Sequence, residues 1–224
     1  MKISISEAIL IAAATVLCAV QPSQAQQKII SPSPTRPEVP EVSVFISGNY
    51  FGPKLNEVNS VYNTIESEYT LPAGTDFKNY YFVLAGLRFS PTNQHAVQAE
   101  FGGSILKSPK KGSTNFLQEY YGGGSYILSL PVSAAFIYAG GGLGCVWLNT
   151  ERTYASRPGV AQVNAQLAQL HGILGIAFFT QAGVSISFEG RYAYATAISP
   201  LRSDLDFTLK GVSGGIQIGV PIIM

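Results

Sequence analysis

Within 184–194, Val184, Ile186, Phe188, Gly190, Tyr192 and Tyr194 alternate with Ser185, Ser187, Glu189, Arg191 and Ala193. A period of two marks a β-strand with one apolar and one polar face, because successive side chains leave the pleat on opposite sides. Upstream, Leu170, Gly172, Leu174, Ile176 and Phe178 alternate in the same way with Gln169, His171, Gly175 and Ala177. The short 179–183 connection closes the two into a hairpin.

Such alternation suits a soluble half-buried sheet and a membrane barrel alike, and the composition of the polar face decides between them. Water-facing surfaces run to roughly 25–35% charged residues, whereas this face is Ser, Ala and Gly around one Glu and one Arg. In a small outer-membrane barrel the apolar face meets lipid and the polar face fills the lumen, which gives this inverted pattern. Charged residues make up only 12% of the 224-residue chain, against about 25% in an ordinary soluble domain. No internal run approaches the roughly 18–20 apolar residues of a membrane helix, so the hydrophobicity is deployed in strands. A formal net charge of +1 leaves no electrostatic footprint for nucleic acid.

Three regions follow from the order of the chain. Lys2, an apolar core over 8–20 and Ser23-Gln24-Ala25 before Gln26 make 1–25 a cleaved secretory signal. Pro32, Pro34, Pro37 and Pro40 make 26–41 an extended periplasmic lead-in unable to join a ladder. The remainder, 42–224, is expected to be all-β, an eight-stranded antiparallel up-and-down transmembrane β-barrel. Its strands are expected at 42–50, 79–90, 95–107, 115–128, 134–148, 170–178, 184–197 and 206–223. The connections 51–78, 149–164 and 199–204 read as polar loops and 108–113 as a basic hairpin loop, with tight turns between the other strands. That alternation of long and short connections is the pattern of barrels with long outer loops and short periplasmic turns. Tyr50, Tyr80, Tyr81, Tyr120, Trp147, Tyr192 and Tyr194 fall at the outer strand ends and Phe89, Phe136 and Phe179 at the inner ones, positions suited to rings at headgroup level.

Strand parity turns Arg88, Gln98, Glu100, Glu119, Gln169, His171, Glu189, Arg191 and Gln217 inward. An Arg or Lys facing lipid near the midplane costs about 2–4 kcal/mol, and the interior of an eight-stranded barrel is just filled by side chains. These residues are therefore expected to pair into a polar plug, with a narrow gated ion path as the alternative. Lys110 and Lys111 are the candidate outer-loop contacts. The glycines at 140–144 are no phosphate loop, since no Gly-Lys-Ser/Thr follows; they suit aromatic rings packed against a curved wall. With Cys18 removed in the signal, Cys145 is a lone packed thiol. No metal or cofactor is expected.

Ile137-Tyr138-Ala139-Gly140-Gly141-Gly142-Leu143-Gly144 resembles the Gly-alternating fifth strand of the OmpA-like, opacity-type eight-stranded outer-membrane proteins. Phe188-Glu189-Gly190-Arg191-Tyr192-Ala193-Tyr194 is similar to that family's seventh strand. The likeness runs from about Val42 to the end of the chain, which closes on Val220-Pro221-Ile222-Ile223-Met224 where the family ends on an aromatic residue. The resemblance implies a monomer in the outer membrane of a Gram-negative bacterium, surrounded by outer-membrane lipid and lipopolysaccharide and inserted by the barrel-assembly machinery. It implies outer loops that meet a host or surface ligand and a function in adhesion or surface interaction rather than enzymatic catalysis. A narrow porin is one alternative. A lipid-directed enzyme is another, which needs a nucleophile beside an oriented base; His95 and His171 are the only histidines, and Gly172 and Ile173 follow the second, so it lacks the His-x-Ser spacing of lipid A deacylase barrels.

Overall fold

A computed structural model describes residues 41–53, 56–71, 74, 76–77, 80–110, 113–154, 157–180, 183–198 and 208–222. The expected signal at 1–25 and most of the lead-in lie outside the described residues, as do Lys111, the side chain of Lys110 and the 199–207 connection. Glu41, expected in the lead-in, already belongs to the first strand.

The strands are β1 (Glu41–Pro53), β2 (Tyr80–Ser90), β3 (His95–Lys110), β4 (Ser113–Val132), β5 (Ala135–Tyr154), β6 (Arg157–Phe179), β7 (Ser185–Ala197) and β8 (Thr208–Ile222), with a helix α1 (Asn56–Glu68) between β1 and β2. They form a closed antiparallel barrel in chain order. β1 closes it against β8, from Val42 opposite Ile222 to Pro53 opposite Gly211. Closure leaves no free edge over the height that all eight strands share, the condition for a sheet surrounded by hydrocarbon; only above it do β3 and β6 run on past the ends of β2 and β7.

The inside-out parity is uniform around the ring. Phe101, Leu143, Leu170, Phe188 and Ile216 stand outward, each at least half exposed, while Ser47, Gln98, Glu100, Ser187 and Gln217 are buried inside. At about 3.4 Å per residue and a tilt of roughly 40°, the outward row from Ile137 to Trp147 climbs about 26 Å, close to the roughly 25 Å apolar band of such barrels. Three expected belt positions turn the other way. Tyr80 and Phe136 are buried in the interior and Phe179 packs against the same interior cluster as Phe136, because each is one residue out of phase with its lipid-facing neighbour, Tyr81, Ile137 or Phe178.

The largest departure from expectation is the height of one side of the barrel. β4 and β5 each have 20 residues and β6 has 23, whereas β1 and β7 have 13. The stretch expected as the 149–164 loop is mostly ladder, with Asn149 opposite Asn164, Glu151 opposite Gln162 and Arg152 opposite Ala161. Above the bilayer the outward positions face water and headgroups, so they carry Asn, Glu and Gln. The apolar half of the alternation disappears there although the strand continues.

The glycines of β5 and β6 serve inward-turned rings. A Cβ on Gly144 would lie 2.4 Å from the Tyr121 ring, and one on Gly175 would lie 2.4 Å from the ring of Tyr138. Only glycine lets these rings lie flat on the wall. Gly144→Val should destabilise the barrel by about 1–3 kcal/mol through overpacking. Gly122→Val, whose Cβ would meet only Trp147 at 3.8 Å, should be nearly neutral. The urea concentration at which the heat-modifiable gel band is lost reads both.

Candidate functional site

The lumen is built in three layers. At the end that carries the short turns Ala96, Ile127, Phe136, Tyr138, Ile173 and Ala177 form an apolar floor. The middle is a charged belt. Toward the outer end a larger apolar cup, including Phe82, Leu84, Leu117, Val146, Leu148 and Leu167, receives Val58, Val61 and Tyr62 of α1.

The belt centres on Glu100. Arg191 reaches its two oxygens at 2.6 and 2.9 Å and donates to Glu189 at 2.9 Å. Gln98 donates to Glu100 at 2.9 Å, and Arg88 donates to Gln98 at 2.8 and 3.1 Å and to Gln217 at 3.2 Å. Tyr121 donates to Glu100 at 2.9 Å and Tyr138 to Glu189 at 3.1 Å. One continuous chain thus joins Gln217, Arg88, Gln98, Glu100, Arg191 and Glu189, bringing together residues from β2, β3, β7 and β8. Glu119 stands apart, bound by the Tyr80 hydroxyl. Gln169 lines a cavity of about 30 Å³ together with Glu119, Tyr121 and Arg191; that is room for water, not for a solute.

His171 is buried beside Ser125, whose Oγ lies 2.7 Å from Nε2. Glu100 Oε1 approaches the same nitrogen at 3.5 Å, and Tyr121 OH lies 3.5 Å from Nδ1. A hydrolase needs the orienting carboxylate on the far nitrogen of the base and an approach for substrate to the nucleophile. Here the carboxylate crowds the nucleophile side, and Ser125 faces the packed lumen. The other histidine, His95, contacts Tyr126 at the start of β3. Cys145 is exposed on the outer wall, not packed as expected, because it shares the outward phase of Leu143 and Trp147.

The outer closure rests on residues of the stretches expected to be loops, 51–78 and 149–164. Val58, Val61, Tyr62 and Ile65 recur at i, i+3, i+4 and i+7, the spacing of one helix face, and that face sits in the cup. The helix ends in a Schellman motif: Leu71 N–H bonds to Glu66 C=O at 2.8 Å and Thr70 N–H to Ser67 C=O at 3.4 Å. Thr70 takes the left-handed backbone at φ 53°, the conformation this cap requires. Asn59 then holds the returning chain, accepting from Phe77 N–H at 2.8 Å and donating to Phe77 C=O at 3.4 Å.

Arg152 pins the helix to the wall. It is fully buried, pairs with Glu66 at 2.6 Å, donates to Asn115 at 2.9 Å and lies over the Tyr62 ring at 4.6 Å. Tyr154 donates to Glu66 at 2.7 Å, and Tyr62 meets Thr150 at 3.0 Å. Burial pushes the Tyr62 phenol up to about 12, so it stays neutral. Burial also works to raise the Glu66 carboxyl, but the bonds from Arg152, Tyr154 and Gly74 outweigh it and hold the carboxyl below the usual range.

No family model matches the chain, and no curated protein matches it in sequence. Among solved structures it is similar to Ail, the attachment invasion locus protein of Yersinia pestis, with a TM-score of 0.53 at 12% identity over 82% of this chain and 99% of Ail. Ail in complex with the heparin analogue sucrose octasulfate gives a TM-score of 0.52 at 13% identity over 82% and 99%. Neisserial surface protein A gives 0.49 at 12% identity over 82% and 97%. Ail is an eight-stranded outer-membrane β-barrel protein, and the chain has its fold.

A carboxylate whose folded-state pKa is depressed stabilises the fold above its unfolded pKa, and that contribution is lost as pH falls through the folded value. Acidification below the ordinary carboxylate range should therefore loosen α1. A dye placed on exposed Ser60 by Ser60→Cys, in a Cys145→Ala background, should lose fluorescence anisotropy over that interval. Glu66→Gln should show the loosened value already at neutral pH.

Proposed function

We propose that the protein is a closed monomeric barrel of the Gram-negative outer membrane that acts at the cell surface, in adhesion or surface contact, and not by passing solutes or by catalysis. The observation that carries this reading is the double closure of the lumen. A paired charged belt fills its middle and a pinned helix fills its outer cup, so among the described residues the interior leaves little room for a solute or a substrate. What remains for function is the tall wall of β4–β6, a rigid platform of the kind that presents binding residues. The attachment role printed for Ail, a protein of the same fold, is in keeping with this. Export by a signal over 1–25, insertion by the barrel-assembly machinery, surrounding lipopolysaccharide and surface contacts from Lys110 and Lys111 belong to the same reading.

The purified protein in planar bilayers should show no stepwise conductance. Bacteria displaying it should bind extracellular matrix better than cells without it, and replacing 108–112 with a short Gly-Ser turn should reduce that binding by severalfold. Regular conductance steps, or binding unchanged by the replacement, would contradict the proposal.

A further inference from the structure

The outward face of β4–β6 changes chemistry one step above its aromatic row. Trp147 stands outward at the level of Tyr120. The next row aligns Gln118, Asn149 and Asn164, and the row beyond it aligns Phe116, Glu151 and Gln162. Gln162 donates to Asn149 at 3.2 Å and to Glu151 at 3.5 Å, and Gln118 donates to the Tyr120 hydroxyl. The result is a mostly uncharged ladder of side-chain amides, flanked on β4 by the Phe116 ring and rising directly from an exposed indole.

Its height identifies what it meets. Two residues of strand at about 3.4 Å each and a tilt of roughly 40° raise each row about 5 Å. The two polar rows thus lie about 5 and 10 Å above the aromatic row, within and just beyond the polar layer that adds some 5–8 Å to each side of the hydrocarbon. The same wall that touches acyl chains at Leu143 and Leu170 continues upward into whatever those chains carry. Followed across β3 to β6, the two rows hold one carboxylate, Glu151, and one cation, Lys107, so they carry no net positive charge to favour phosphate. Amides that both donate and accept suit hydroxyl groups, and an indole offers a flat apolar body for a sugar ring.

We propose that this amide ladder, with Trp147 at its base, binds the saccharide headgroup of the glycolipid surrounding the barrel in the outer leaflet. The inference rests on the outer-membrane reading above and adds the partner and the surface. The wall then anchors the barrel laterally in a sugar layer and fixes how far the β3–β4 tip projects.

Trp147 is the only tryptophan in the chain, so its emission reports the site directly. The full barrel would be reconstituted in phospholipid vesicles containing increasing mole fractions of rough lipopolysaccharide with its core sugars, or of lipid A without them, and iodide quenching of Trp147 measured. Rough lipopolysaccharide should shield Trp147 and lipid A should not. The Asn149→Ala/Asn164→Ala variant should need about tenfold more rough lipopolysaccharide for half-maximal shielding, the loss expected from two hydrogen-bonding side chains. Equal shielding by lipid A, no shielding by either, or an unshifted variant would overturn the proposal. Shielding by free core oligosaccharide as strong as by the membrane-borne form would assign the face to soluble glycans and overturn it too. Heat-modifiable migration of the same samples reports insertion separately, so failure of the membrane reading is distinguishable from failure of the saccharide site.

Discussion

Everything in this molecule depends on an exterior that must be oil-compatible over a band of about 25 Å. A backbone surrounded by hydrocarbon cannot leave its N–H and C=O groups unpaired, so the sheet has to close. With apolar side chains committed to the outside, strand alternation sends every second residue inward whatever its chemistry. Arg191, Glu100 and Glu189 are buried for that reason, and their mutual bonds make the burial tolerable. Removing one partner of such a set strands a charge and costs several kcal/mol, while replacing the whole set with apolar residues is often neutral. The belt is thus the consequence of an inward-facing polar phase that must be satisfied.

The same logic explains the layering of the lumen. Toward the top of the apolar band and above it, the outer phase gives up its greasy residues and the inner phase takes them on. Val146 and Leu167 just below the Trp147 row, with Leu148 and Leu117 above it, form a cup that water would otherwise wet. Helix α1 covers it with Val58, Val61 and Tyr62, and Arg152 with Glu66 fixes the helix in place. The plug and the tall wall are therefore two sides of one solution, in which an extended sheet hides its inner face and offers its outer face to the surroundings.

Sequence reading reached the barrel, its strand number and its in-out phase because the period-two pattern is strong wherever lipid is present. It missed the upper third of β5 and the first half of β6 because there the outward residues, such as Asn149, Glu151 and Gln162, are as polar as a loop. Inward Thr150, Arg152 and Tyr154 kept the phase, and following that phase past Trp147 would have extended both strands. The helix was hidden by the acidic residues around it, although Val58, Val61, Tyr62 and Ile65 carry its spacing. Tyr80 and Phe136 were assigned to the aromatic belts by their position near strand ends, where phase was the better guide. That Glu100 is the hub of the belt was not legible, since it depends on which strands face each other across the lumen.

The most direct test of the oil-facing exterior uses the native thiol of the wall. Cys145 is exposed, opposite Gly122 on one side and Ala168 on the other, within the lipid-facing rows. A spin label attached there, in the chain carrying Cys18→Ser and reconstituted in phospholipid, should collide readily with oxygen dissolved in the bilayer and hardly at all with a water-soluble nickel chelate. Ready collision with the chelate, in a protein that also stays dissolved without detergent, would mean that this face meets water and would contradict the inside-out arrangement on which the rest of the structure stands.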